Sequence, residues 1–283
     1  MCILKNLSFK NLTMHLYLFL ISFIIIAETT FGNAQHDSSI THILNRNQYE
    51  KLYPHHNTIY SYENFIAASK TFSLFANEGD LIMRKKELIA FFANIAHETT
   101  NGWAEAKGGP YVWGLFYTEE QACKDGHCAL YNTAGTSKYE PVAGKSYHGR
   151  GPMQLSYVYN YGLAGEELGL PLLQQPELAG SDGIIAFKTA LWFWMREQKP
   201  KPSCHNVMCG KWQPSEDDAK QNRKPGFGMV INIINGGIEC NTTDKAVEAK
   251  RKERIGFYKW FARIMDIAVE DDCDCTGMST YGL

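Results

Sequence analysis

Residues 80–98, DLIMRKKELIAFFANIAHE, constrain the fold more than any other stretch of the chain. Asp80 is an acceptor side chain placed just before a periodic segment, which marks a helix start. Leu88, Phe91, Phe92 and Ile95 recur at helical spacing, so one face of this helix must enter a core. Glu98 comes next on that face. A carboxylate where the period calls for an apolar residue is costly unless it finds partners or its pKa rises. Such a group is a candidate general acid. A second carboxylate, Glu120, follows a segment rich in glycine and aromatics, and its neighbour Glu119 is an equal candidate on composition alone.

The rest of the chain reads as helices joined by long loops. Tyr62 to Phe75 has mixed helical spacing, and Ser181 to Arg196 is a helix with Ile184, Phe187, Leu191 and Trp194 on one face. Trp192 lies off that stripe and reads as a second packing face. Gly228 to Ile234 is apolar and ends at Asn235-Gly236-Gly237, as a helix C-terminus does. Lys245 to Ile264 forms a last helix with Arg254, Ile255, Tyr258 and Phe261. Residues 35–60 are polar and read as a solvated loop. Residues 101–150 are irregular, and their many aromatics argue against disorder. With no internal repeat and no linker, the pattern implies one mainly α domain.

The 283 residues carry a formal net charge of −2 and no basic stripe, so a nucleic-acid partner is not indicated. Lys5 and Lys10 precede the apolar run Leu16–Ala27, and Gly32-Asn33-Ala34 supplies small residues for cleavage. The run is shorter than the roughly 20 residues of a membrane span, so residues 1–34 read as a secretory signal. Export, to the cell exterior or a periplasm, agrees with the eight cysteines. Loss of Cys2 leaves an odd number, so at least one thiol is unpaired. Asn241-Thr242-Thr243 is a glycosylation sequon.

Three chemistries compete for His97 and Glu98. A zinc protease needs a second histidine one helical turn on, but position 101 is Asn. None of the cysteine spacings matches a zinc site. The turn Gly149-Arg150-Gly151-Pro152 lacks the ending of a phosphate loop. A core carboxylate paired with an arginine is the structural alternative. A glycosidase acid is the third reading. Glu98 on a core helix and Glu120 or Glu119 in a polar loop have the unlike environments that separate an acid from a base.

The segments Phe91–Trp103 (FFANIAHETTNGW), Gly109–Gly114 (GPYVWG), Tyr147–Gly162 (YHGRGPMQLSYVYNYG), Ala190–Met195, Lys201–Trp212, Pro225–Cys240 and Arg254–Tyr258 closely resemble family 19 chitinases, in the family's order. The resemblance implies a two-lobed, lysozyme-like, α-rich domain over residues 35–283 with a central substrate cleft. It implies secreted endo-hydrolysis of the β-1,4 bonds of chitin with inversion, without metal or cofactor. Chitin and chito-oligosaccharides are then the partners, and a monomer with no membrane contact after signal removal is expected. Under this resemblance Glu98 matches the general acid. Glu120 matches the general base by register over Glu119, and Ser156 the residue that helps hold the attacking water. His97, Trp103, Gln154, Tyr159, Asn160 and Asn235 match substrate-contacting positions, and Glu239 and Arg254 a charged network beside the acid. Cys240–Cys275 matches the family's C-terminal bridge, and Cys123–Cys128 stands in for another. Phe116 replaces a family cysteine, which removes one bridge. Cys204, Cys209 and Cys273 are left over, with Cys204–Cys209 an allowed pair. A peptidoglycan-cleaving muramidase on the same broad fold and a non-catalytic chitin-binding protein are the alternatives.

Overall fold

Asp80 caps the central helix as the sequence indicates: its side chain accepts from the Met83 amide at 2.8 Å. The structure is a computed structural model that describes residues 40–123, 128–133 and 138–281. The signal segment 1–34 lies outside these. The central helix, α3 (Leu81–Glu98), follows two shorter ones, α1 (Arg46–Leu52) and α2 (Tyr62–Ser69). From Glu87 to Ala96 every residue of α3 is buried, on all faces. A stretch buried all round belongs inside a core rather than on its surface, and its two polar residues, Glu87 and Asn94, are both hydrogen-bonded there. Its most extensive partner is the last helix, α10 (Lys245–Ile264).

Between them in sequence run α4 (Val158–Leu168), α5 (Leu178–Ser181), α6 (Gly183–Met195), α7 (Cys204–Met208), α8 (Glu216–Lys220) and α9 (Phe227–Glu239). The helices of the large core are α1–α3, α6, α7, α9 and α10. A smaller core gathers Tyr139, Tyr147, Leu155, Val158, Tyr161, Leu172 and Trp192 around α4 and α5. Trp192 therefore packs on the opposite side from Phe187, Leu191 and Trp194, as its position off the stripe implies. Among the described residues there is no strand, only isolated bridges such as Glu119 with Arg150 and Arg150 with Leu155.

Three expectations need correction. Residues 40–60 are not a solvated loop: Asn45 and Gln48 form a capping box for α1, and Tyr49, Leu52, Tyr53 and Tyr60 are fully buried. Tyrosine looks polar in sequence but buries a large ring once its hydroxyl has a partner. Tyr49 donates to the Tyr60 carbonyl at 2.6 Å and Tyr53 to that of Phe92 at 2.8 Å. The second helix stops at Ser69, short of Phe75. The ninth helix runs past Asn235, which bends it through non-helical torsions (φ −143°), to Glu239.

The bridges Cys123–Cys128 and Cys240–Cys275 are both formed. Cys204 and Cys209 are not paired with each other; both are free and buried, as is Cys273. Cys204 opens α7 and Cys209 caps it. Five residues of helix turn two side chains about 140° apart, which points the sulfurs in different directions.

Candidate active site

Glu98 is the last residue of α3, with its side chain 21% exposed. It is not a bare charge. The Arg254 guanidinium of α10, 1% exposed, lies 2.7 Å from its Oε1. Arg254 also donates to both oxygens of Glu239, at 3.2 and 2.6 Å, and to Asn94 Oδ1 at 2.9 Å. Asn235, at the bend of α9, donates to the same Glu239 at 2.9 Å. Burial alone would raise the Glu239 carboxyl. The Arg254 charge and the bonds from Arg254 and Asn235 outweigh it and hold Glu239 below the usual carboxylate range. One guanidinium thus serves two carboxylates, and the bend at Asn235 brings its side chain to the same place.

Glu120 sits on a different support. The Glu120 amide donates to the Gly149 carbonyl at 2.8 Å, and the Gly151 amide to that of Thr118 at 2.9 Å. Arg150 and Leu155 exchange backbone bonds of 3.1 and 2.9 Å across the turn Gly151–Gln154. Three short extended pieces therefore lie side by side, and neighbouring side chains on each point to opposite faces. That alternation separates the two glutamates. Glu119 turns toward His148 Nε2 (3.2 Å) and Arg150 Nε (3.7 Å). Burial lowers the His148 pKa, the Glu119 bond opposes this and the Arg150 charge adds to it. The neutral ring then carries its proton on Nε2, facing Glu119, while Nδ1 accepts from Ser146 Oγ at 2.9 Å. Glu120 turns the other way and accepts from the Tyr131 hydroxyl at 3.3 Å. Burial first, then the bond and charge of Glu120, push that phenol up to about 12.

Gly149 leaves room for two side chains where these pieces meet. A Cβ there would lie 2.8 Å from Gln154 Oε1 and 3.2 Å from Ser156 Oγ. Gln154 takes a positive φ of 50° to bring its side chain back over the turn, where its amide donates to the Gly151 carbonyl at 2.9 Å. Ser156 Oγ donates to the Gln154 carbonyl at 2.9 Å, and Asn160 Nδ2 to that of Ser156, also at 2.9 Å.

Glu98 and Glu120 line one cleft of about 420 Å³, together with Gln154, Ser156, Asn160 and Asn235. Glu119 does not line it. A larger cavity of about 540 Å³ between Asp80 and Met278 holds neither Glu98 nor Glu120. Three of the expected contact residues are elsewhere. His97 Nδ1 lies 2.8 Å from Glu253 on α10, because the residue before Glu98 is turned about 100° around the helix. Trp103 is 53% exposed, its ring 6.3 Å from that of Trp113. Tyr159 is exposed beside Tyr139. Conversely, Tyr131, Tyr157, Thr189 and Phe193 line the cleft although sequence reasoning passed over them. Tyr157 and Thr189 fall inside or beside matched segments and could have been found there. Tyr131 has no such signal.

The comparisons with known proteins agree with one another. The family model described as chitinase class I, of glycoside hydrolase family 19, matches residues 38–275. A basic endochitinase of Vitis vinifera is 43% identical over 250 residues, covering 86% of this chain and 77% of its own. Endochitinase B of Nicotiana tabacum is 41% identical over 247 residues, covering 85% and 74%. Among solved structures, chitinase C from Streptomyces griseus superposes with a TM-score of 0.66 at 30% identity, covering 82% of this chain and 97% of that one. A class IV chitinase from Zea mays gives 0.62 at 27% identity, covering 84% and 100%.

Proposed function

Since the chain belongs to the class I chitinases of glycoside hydrolase family 19, we propose that its cleft cleaves the β-1,4 bonds of chitin by single displacement with inversion, Glu98 acting as acid and Glu120 as base. The enzyme is a glycoside hydrolase, and chitin is its substrate class. The observation that carries the assignment of roles is the shared cleft: it brings together two carboxylates held by different elements and different partners.

The partners suit the roles. Glu239 is paired through both oxygens to Arg254, so that guanidinium is already matched by one negative charge. The cluster of Arg254, Glu239 and Glu98 is then neutral when Glu98 carries a proton, the form a general acid needs. Arg254, 2.7 Å from Glu98 Oε1, leaves the other oxygen to carry the proton. On the other wall, Glu120 accepts a proton from water that attacks the far face of the sugar. Ser156 Oγ is the neighbouring hydroxyl that steadies this water, and Gln154, Asn160 and Asn235 offer amides to the N-acetyl groups and hydroxyls of the substrate. An inverting pair needs roughly 6.5–9.5 Å between its carboxyls to admit the water.

Proton NMR of the first products tests the stereochemistry. New reducing ends in the α form support inversion, and β ends at early times would mean a covalent glycosyl intermediate instead. Release of reducing ends from soluble chitin derivatives and from bacterial walls separates chitin from peptidoglycan as substrate; activity on walls alone would overturn the choice. Glu98→Gln is expected to lose turnover and keep oligosaccharide binding.

We also place residues 1–34 as a cleaved signal and residues 35–283 as the secreted catalytic domain, acting as a monomer. The apolar run Leu16–Ala27 and the two disulfides support this reading. Among the described residues no helix is long and apolar enough to cross a membrane. N-terminal sequencing of the exported protein checks the cleavage site.

A further inference from the structure

A buried polar cluster lies about three turns of α3 away from Glu98, and none of its members lines the cleft. Its hub is Glu87, 1% exposed. One oxygen of Glu87 accepts from the Trp194 indole at 3.0 Å and lies 2.7 Å from His205 Nδ1. The other accepts from the Ala76 amide at 2.9 Å. With both oxygens engaged, Glu87 fixes the plane of the His205 ring. The far nitrogen, Nε2, then faces Glu78 Oε2 at 2.7 Å and Cys209 Sγ at 3.8 Å. Cys209 is buried and free of any disulfide. The ligand atoms of Glu78, His205 and Cys209 all lie within 4.8 Å of one another.

We propose that Glu78, His205 and Cys209 form a binding site for a borderline divalent cation such as Zn²⁺, with Glu87 as the outer carboxylate that orients His205. Sulfur, imidazole and carboxylate are the ligand types Zn²⁺ takes, in a set of four that is usually tetrahedral. A carboxylate on the remote nitrogen of a ligating histidine is the usual support of such a site. His205 and Cys209 stand one helical turn apart, so their side chains project from the same face of α7. The Cys209 thiol is otherwise held by a long 3.8 Å contact to the Asn206 carbonyl, so its sulfur can turn to an ion. Lys211, whose side chain is half exposed, holds Glu78 at 2.6 Å, and its flexible stem lets it yield the carboxylate to an ion. Glu78, 23% exposed, gives the entry path and room for water as the fourth ligand. The bound ion would tie the turn before α3 to α7. It is a structural clamp at the root of the helix that ends in Glu98, and it stands independently of the catalytic roles proposed above.

The test uses the full exported chain, stripped with a chelator and titrated with Zn²⁺ by calorimetry and with Co²⁺ by absorption. Expected are one more Zn²⁺ bound per chain in the parent than in Cys209→Ser, a thiolate-to-cobalt band that Cys209→Ser lacks, and a Zn²⁺-dependent rise in Tm that Cys209→Ser lacks. Glu87→Gln should weaken binding by about 10–100-fold. Equal stoichiometry and affinity in parent and Cys209→Ser, or no binding by the parent, overturns the site. Alkylation of the unmodified protein, mapped by mass spectrometry, does not depend on any variant folding. Zn²⁺ should slow alkylation of Cys209 and leave Cys273 unchanged, and no protection of Cys209 also overturns the site.

Discussion

The choice of Glu120 over Glu119 turns on which face of one short extended segment each side chain occupies, and paired glutamine variants read that directly. Glu120→Gln keeps the shape of the side chain and removes its ability to accept a proton. Loss of a positioned general base lowers kcat by about a hundred- to ten-thousand-fold, or about 3–5 kcal/mol of barrier. Glu119→Gln acts on structure instead. Its carboxylate lies 3.7 Å from Arg150 Nε, which at an effective dielectric constant of about 20 is a gross attraction of about 4–5 kcal/mol. Glu119 is 32% exposed, and solvent screens such a pair to a net of about 1 kcal/mol. The amide oxygen of Gln still accepts from His148, and Arg150 keeps its bonds to Ser146 and Tyr161. Glu119→Gln is therefore expected to lose about 1 kcal/mol in urea unfolding and to hold kcat within about fivefold, a change of about 1 kcal/mol in barrier. Steady-state kinetics on a soluble chito-oligosaccharide, with unfolding curves for both variants, decide it. A Glu119→Gln enzyme as slow as Glu120→Gln, or a Glu120→Gln enzyme within tenfold of the parent, would refute the reasoning.

Arg254→Met strands Glu239, which is 2% exposed, without its cation, and should cost about 3–5 kcal/mol of stability in urea unfolding; a loss under about 1 kcal/mol would show that the cluster relaxes. Gly149→Ala places a methyl 2.8 Å from Gln154 Oε1 and 3.2 Å from Ser156 Oγ. Both are side-chain ends that can shift, so kcat/KM should fall about tenfold, a 1.4 kcal/mol effect, while Tm moves by only a few degrees. Asp218 is raised by burial, but bonds from Ser215, Arg223 and Tyr281 outweigh this and bring its pKa from 3.8 down to about 2. A depressed carboxyl contributes stability that is whole above the unfolded value and is lost as pH falls through the folded one. Unfolding free energy should therefore drop by about 2 kcal/mol between about pH 4 and pH 2 from this group, and Asp218→Asn should flatten that slope.

Much of the large core was legible because local pattern and tertiary role agree there. The Asp80 cap, the stripe of α3, the two packing faces of α6 and the span of α10 all follow from spacing. The anomaly at Glu98 also had a local cause, since a carboxylate broke an apolar period. What stayed hidden depends on contacts between distant residues. Tyr49, Tyr53 and Tyr60 lie inside because carbonyls on other segments take their hydroxyls, which no local period records. Glu119 and Glu120 are separated by pairing with residues 149–151, so composition saw them as equals. The resemblance puts His97 among the substrate contacts, but on a helix adjacent residues face different ways and its ring turns to Glu253. The cluster of Glu78, His205 and Cys209 is likewise invisible to a search for cysteine pairs, because one ligand comes from far up the chain.

The gap between the two carboxylates is set by the elements that join their supports: the Leu115–Tyr117 segment, whose amides bond Thr99 beside Glu98 at 2.9–3.1 Å, and α6, which packs into both cores. Phe187, Ala190, Leu191 and Trp194 pack into the large core, while Trp192 packs into the small one. The tryptophan indoles are tied in opposite directions: Trp194 donates to Glu87 of α3 at 3.0 Å, and Trp192 to Glu167 of α4 at 2.6 Å. Between them, Thr189 and Phe193 form the cleft wall. Glu98 ends the helix held on one side. The Gln154–Ser156 turn leads into the helix held on the other, and Glu120 hangs from its backbone partner Gly149. A sideways shift of α6 therefore moves the cleft wall that lies between the acid and the base. Close-packed cores have no void in which to absorb it, and catalytic groups need placement within about 0.5 Å. The two packing faces of α6, legible in its spacing, thus make it one of the elements that space the reacting groups.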